Sequence, residues 1–319
     1  MKKFWPWLRL LLAVGILVAL GVRLGTGAFL DGLRAIDAFS VAAALAIGLV
    51  TTVLSAGRWV LVAHRLGLPL TMKTAVGDYY RAQLVNAVLP AGVLGDVHRA
   101  VNHGRESGDV GRGVRAVFFE RMAGQVVLIG IGLAVLLTHP APGLDLTLSG
   151  TTVAAILAGL ALAAVIGWNI RPVRKALVNT LADGIRLLSF KTWPAVIGLS
   201  AATVAGYVAM FLVAARAAGS DATVTQLAPV VVLALLIMAI PVNIGGFGPR
   251  EAFLAVAFGA AGLGAAQGFT TGIVYGVLAL IAALPGAVVL FVSRRKAEKV
   301  QVVAERVDQS REQELALAR

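Results

Sequence analysis

Six charged side chains stand in the apolar parts of this chain, at Asp96, Arg99, Glu120, Arg121, Arg250 and Glu251. A charged group placed inside a bilayer is costly, and it faces a cavity or a partner rather than lipid. The chemistry of such a set is electrostatic. Guanidinium groups on a cavity wall bind phosphate bidentately, while carboxylates there balance the arginines or accept a cationic headgroup. Glu120 and Arg121 are chain neighbours whose side chains diverge by about 100° on a helix, so they are not expected to pair with each other. Pairs between elements are expected instead, such as Asp96 or Glu120 with Arg250 or Arg99. The competing reading is structural: buried ion pairs that pin helices together without touching a substrate.

Other chemistries find little support. The chain has no cysteine, so thiolate metal sites and disulfides are excluded. His98 and His103 are five apart and fall on different helix faces, and His64 and His139 read as loop residues, so no metal site is expected. The zinc pattern His-Glu-x-x-His is missing, as is any phosphate-cradling P-loop. The segment Val93-Leu94-Gly95-Asp96 lacks the first glycine of the Gly-x-Gly-Asp pattern of intramembrane aspartyl proteases. An intramembrane enzyme acting on lipid or peptide is thereby the weaker alternative, no cofactor is implied, and translocation rather than catalysis is expected.

The elements that must position these charges are membrane helices. Hydrophobic residues make up 59% of 319 positions and charged residues 14%, against about a quarter charged in an ordinary soluble domain. Apolar runs cover residues 10–22, 41–62, 114–137, 152–168, 195–215 and 270–292, most of them near the 20 residues that about 30 Å of hydrocarbon requires. Two further stretches are interrupted. Residues 75–100 are broken at Pro90, and residues 227–263 at Pro241 and again at Gly245, Gly246 and Gly248.

Lysine and arginine give the direction, because short loops rich in them stay cytoplasmic. Lys2, Lys3 and Arg9 precede the first run, and Arg294, Arg295, Lys296 and Lys299 follow the last, which places both termini inside. The loop at 139–150 lacks both residue types and reads as external; Arg171, Arg174, Lys175, Arg186 and Lys191 mark an internal loop. Six full crossings satisfy this pattern if each interrupted stretch enters and leaves on one side. Thr26, Gly27 and Ala28 after the first run are compatible with signal-peptide cleavage, but that would leave five crossings against the charge evidence, so a retained anchor is expected. The formal charge of +12 is spread over helix ends, which suits anionic headgroups and argues against nucleic acid. Arg58 beside Trp59, near the end of the second run, reads as a snorkelling anchor with an interfacial aromatic.

The two interruptions match each other. Leu89-Pro90 is followed by Gly95 and Arg99, and Ile240-Pro241 by Gly246 and Arg250, at the same offsets of five and nine. The flanking series also repeats, with two crossings, a break and a third crossing on each side. The expected organisation is therefore a first repeat over 1–138 with its re-entrant break at 75–100, a second over 139–293 with its break at 227–263, and a cytoplasmic charged tail over 294–319. The first series starts inside and the second outside, which makes them an inverted-topology repeat. Transporters built this way place their sites between the repeats, at broken helices. Irregular backbone survives in a membrane only within protein or around a wet cavity.

Arg58-Trp59, the stretch from Asn86 to Pro90, Gly95-Asp96 with Arg99, Glu120-Arg121, and Ile240-Pro241 through Gly245-Gly246-Phe247-Gly248 to Arg250-Glu251 resemble the lysylphosphatidylglycerol synthase transmembrane-domain family. That family supplies the membrane module of lipid flippase-synthases and of many stand-alone bacterial and archaeal proteins. The resemblance runs from about residue 10 to 292. It implies an all-α inverted-repeat bundle with about six crossings and two re-entrant broken helices, moving a lipid between leaflets of the plasma membrane. Asn86 and Asn243, inside the matched motifs, join the six charged residues as candidate substrate contacts. Two departures bear on the substrate: Val93-Leu94-Gly95 stands where a more glycine-rich run is usual, and Asn243 replaces a small hydroxyl residue. About 25 polar residues follow Val292, too few for the domain that transfers an aminoacyl group, so synthase activity is not expected. The expected partner is an anionic or aminoacylated phospholipid, with self-association left open. A structural membrane subunit remains the alternative from another class.

Overall fold

The structure is a computed structural model, which describes residues 30, 32–88, 92–139, 171–187, 192–238 and 248–292. The described residues form helices and no strand. In chain order the helices are α1 (Ala38–Arg65), α2 (Met72–Val88), α3 (Leu94–Glu106), α4 (Val110–Thr138), α5 (Arg171–Leu187), α6 (Trp193–Ala217), α7 (Val224–Met238), α8 (Pro249–Ala260) and α9 (Ala265–Ala283). Beyond a turn at Leu284, helix continues from α9 to Val292.

Four of these, α1, α4, α6 and α9 with its continuation, are 25–29 residues long and apolar enough to cross a membrane. The other apolar elements are too short to do so alone. Helices of 12 to 17 residues reach about 18–26 Å at 1.5 Å per residue. They come in two pairs, α2 with α3 and α7 with α8, each pair separated at a position where the sequence places proline and glycine. Pro90 and Pro241, with Asn243, Gly245 and Gly246, lie outside the described residues. So do the runs at 10–22 and 152–168 and the tail at 294–319.

Local chemistry fixes the helix starts. Asp37 caps α1 by accepting from the Ser40 N–H at 2.8 Å, while Ser40 Oγ accepts from the Asp37 N–H at 3.1 Å, a reciprocal cap. Asp109 caps α4 through the Arg112 N–H. α8 begins with Pro249 directly after Gly248, whose φ of 113° is a conformation reserved for glycine.

The packing repeats along with the element order. α1 and α6 pack on each other at the centre. Around them, the contact of α3 with α4 has its counterpart in α8 with α9, α1 with α9 in α6 with α4, and α2 with α9 in α7 with α4. The pairings of α2 with α3, α1 with α2 and α1 with α4 likewise recur as α7 with α8, α6 with α7 and α6 with α9. Glycines allow two matching crossings. A Cβ on Gly113 would lie 2.6 Å from Gly104 Cα, and one on Gly268 would lie 2.7 Å from Phe258 Cβ. Each is the fourth residue of its span.

Two expectations need correction here. The basic stretch after residue 170 holds a helix over Arg171–Leu187 rather than a loop. Its alternation of basic and apolar residues suits a membrane surface, and Arg115 ties it to α4 through Asp183 at 2.6 Å. His64 lies in the last turn of α1, not in a loop, because that helix runs on to Arg65.

Candidate functional site

Two charge clusters and a cavity between them make up the candidate site. The first cluster is centred on Glu120 of α4, which is fully buried. Its Oε1 accepts from Arg58 Nε at 2.9 Å and Nη2 at 2.5 Å, and its Oε2 accepts from Arg99 Nη2 at 2.7 Å. Arg99 also donates through Nε to Asp96 Oδ1 at 2.8 Å, one turn away on α3. Asp96 in turn accepts from Arg121 Nη2 at 2.6 and 2.7 Å and from Asn86 Nδ2 at 3.0 Å. Three guanidiniums thus face two carboxylates, and the cluster keeps one net positive charge.

Aromatic rings hold Arg99 in place. Its guanidinium lies 4.2 Å from the Tyr79 ring centre and 4.6 Å from that of Trp59, a cation–π arrangement that strengthens when desolvated. Arg99 is 1% exposed, and its Nη1 has no hydrogen-bond partner. A buried donor left unmet is costly unless something supplies an acceptor. Asn86 links α2 to α3 across the first interruption: besides donating to Asp96, its Oδ1 accepts from the Gly95 N–H at 2.7 Å. Gly95 has to be a glycine, because a Cβ there would run into the Ala82 backbone.

The second cluster is smaller. Arg250 and Glu251 are both buried at the start of α8. Arg250 Nε donates to Glu251 Oε1 at 2.9 Å, and its Nη2 donates to the same oxygen. Glu251 Oε2 accepts from the Gly248 N–H at 2.5 Å, which satisfies an open donor of the helix start. The Arg250 guanidinium sits 5.0 Å from the centre of the Tyr275 ring, which stacks on Phe211 at 3.8 Å.

Between the clusters lies a cavity of about 210 Å³, walled by Thr51 of α1, Gln83 and Asn86 of α2, Tyr207 and Met210 of α6, and Tyr275 of α9. Asn86 joins this wall to the first cluster and Tyr275 joins it to the second. Polar side chains of α1, α2, α6 and α9 therefore meet on one wall.

Of the expected site residues, Asp96, Arg99, Glu120, Arg121 and Asn86 come together in the first cluster, and Arg250 and Glu251 form the second. Asn243 lies outside the described residues. The expected pair between elements forms between Glu120 and Arg99, whereas Asp96 and Arg99 sit on one helix and Arg250 pairs with its own neighbour Glu251. Both of those side chains are long enough to bridge the divergence of their Cα–Cβ bonds. Glu120 and Arg121 do take different partners. Arg58 requires a correction: it is 5% exposed, bidentate on Glu120, and bonded through Nη1 to Ser200 Oγ at 3.0 Å, so it is no snorkelling anchor. The signal was in the sequence. Thr51, Ser55 and Arg58 recur at spacings of four and three, and a polar stripe inside an apolar run faces protein rather than lipid. Tyr79 and Trp59, the rings that hold Arg99, also went unanticipated as site residues.

The chain matches the family described as Lysylphosphatidylglycerol synthase TM region over residues 7–293. Neither the curated proteins nor the solved structures contain a match to it.

Proposed function

The chain belongs to the lysylphosphatidylglycerol synthase transmembrane-region family, a multi-pass membrane protein related to lipid handling, and from that premise we propose that it moves a phospholipid between the leaflets of its membrane. The polar cavity shared by the two halves carries this reading. It lies at the centre of a bundle of apolar helices, and arginine clusters flank it on both sides. A headgroup enters the cavity while its acyl chains stay in the bilayer. Arg99, with an unmet donor, and Arg250 draw the phosphate; Asp96, Glu120 and Glu251 balance them and offer acceptors to an amino-bearing headgroup.

The two helix pairs act as re-entrant hairpins of an inverted repeat, entering from opposite sides, with both termini on the cytoplasmic face of the plasma membrane. Matching element order and matching contacts support this arrangement. No covalent step is required of the chain. Lipid moves downhill or with a coupled ion, so these residues bind and release without forming bonds.

One observation favours a purely structural reading of the charges: Asp96 and Glu120 are each held by two arginines. Leaflet exchange of fluorescent phospholipids in proteoliposomes separates the two. Wild type is expected to exchange an anionic or aminoacylated lipid, and Arg250→Ala and Asp96→Ala to abolish exchange at matched folding. Wild-type protein inert toward every such lipid, or variants that exchange normally once folded, would reject translocation through this site.

A further inference from the structure

We infer that the part of the headgroup which fills the central cavity is an uncharged ring bearing hydroxyls, of the sugar or inositol type, rather than an amino-bearing or zwitterionic unit. The inference rests on translocation through this cavity and narrows its cargo. Among the described residues, no side chain that lines the cavity is charged. Neither interruption, residues 89–91 and 239–247, contains a charged residue. An ammonium or carboxylate in such a space would lose its water and gain no partner, which is costly, whereas a hydroxyl needs only hydrogen bonds. The phosphate stays with the flanking arginines, and the unit beyond it lies between them.

The polar groups of the wall are those that recognise hydroxyls. Gln83 Oε1 accepts from Thr52 Oγ1 at 3.1 Å, which leaves both hydrogens of its amide nitrogen to donate. Asn86 spends one hydrogen on Asp96 and one lone pair on the Gly95 N–H, and keeps one of each. The Tyr207 and Tyr275 hydroxyls have no hydrogen-bond partner among the described residues. A hydroxyl both donates and accepts, so a ring carrying several meets this mixed set, while an ammonium only donates. Tyr275 offers its hydroxyl and not its ring: Phe211 stacks on it at 3.8 Å and the Arg250 guanidinium covers it at 5.0 Å. A choline-type headgroup, held on aromatic faces, finds no free face on that ring. Gly48, Gly276, Ala279 and Ala283 also line the cavity, small apolar residues that suit the C–H face of a sugar and no ionic group. The volume of about 210 Å³ is the share of about seven waters, room for a six-membered ring with its hydroxyls and more than a three-carbon glycerol fills.

The test compares phosphatidylinositol, phosphatidylglycerol and phosphatidylserine, which share one net charge, with matched acyl chains. Each is followed as a fluorescent trace in proteoliposomes of the full chain, and native mass spectrometry of the detergent-solubilised protein reports binding of the same three. A hydrogen bond to a hydroxyl is worth about fivefold. Phosphatidylinositol, which makes several, is expected to exchange and to bind at least about tenfold better than phosphatidylserine, and about fivefold better than phosphatidylglycerol. Tyr275→Phe removes one hydroxyl and keeps the ring, so it should lower the inositol-over-serine ratio about fivefold. Ala279→Trp, which fills the cavity, should erase that ratio in binding. Each ratio is taken within one protein, so a loss of folded material does not change it. Phosphatidylserine handled as well as phosphatidylinositol would overturn the headgroup assignment and leave translocation standing, and phosphatidylglycerol equal to phosphatidylinositol would overturn the ring. Exchange of none of the three would reject translocation; the assignment then stands if wild type binds phosphatidylinositol selectively and Ala279→Trp does not, and falls otherwise.

Discussion

At the scale of single residues, Glu120 is the position on which most depends. Its carboxylate is fully buried and is the shared partner of Arg58 and Arg99. Removing one member of a buried ionic network strands the others without solvent, a loss of about 3–5 kcal/mol. Glu120→Gln is expected to cost that much in thermal or denaturant unfolding of detergent-solubilised protein. Arg58→Met should cost clearly less, since Arg99 still holds the carboxylate. Equal losses would show that the two arginines do not share the charge as the geometry indicates. The sequence marked Asp96, Arg99 and Glu120 because a charge within an apolar run is conspicuous wherever it points. Partners separated by 62 positions, as Arg58 and Glu120 are, depend on how two helices turn toward each other, which no local pattern records. The roles of Trp59, read as an interfacial aromatic, and of Tyr79 are hidden for another reason: an aromatic residue in an apolar run does not show an arginine on its face until the helices are packed.

At the scale of elements, close crossings and caps decide whether the clusters form at all. Gly113 lets α4 approach α3, and through it Glu120 reaches Arg99. Gly113→Ala is expected to destabilise by about 1–3 kcal/mol through overpacking, read as a lower melting temperature. Gly108→Ala, a turn position with no atom within 4 Å but a φ of 76°, tests strain without crowding. The start of α1 provides a pH-dependent check. The Ser40 backbone N–H holds the Asp37 carboxyl below its ordinary pKa of 3.8. The stabilisation is therefore fully present above that value and lost as pH falls through the lower folded one. Asp37→Ala should remove this acid-side dependence, and Asp37→Asn should keep the cap but not the pH response. Apolar runs and proline breaks made the described helices legible in the sequence. The surface helix α5 was harder to see, because its basic residues resemble those of a charged loop until their helical spacing is considered.

At the scale of the whole molecule, the cavity exists because α1 and α2 from one half meet α6 and α9 from the other. Ala279→Trp, on its wall, is expected to block lipid exchange in proteoliposomes while leaving the two ion-pair clusters intact. Unimpaired exchange would place the path elsewhere. The recurrence of helix contacts has a further consequence. If translocation runs through this bundle as proposed, halves that make corresponding contacts would have two near-equivalent ways to pack, in which they trade conformations. Their described ion pairs are unequal, however. Among the described residues, the first half ties α1, α3 and α4 together through Glu120 and Asp96, whereas the Arg250–Glu251 pair lies within a single helical turn. Trading conformations is then not free, and each 1.4 kcal/mol of difference weights one form tenfold over the other. On the proposed reading such a molecule would have a resting side: unloaded, it would wait facing one leaflet, and a bound lipid would have to supply the energy that turns it to the other.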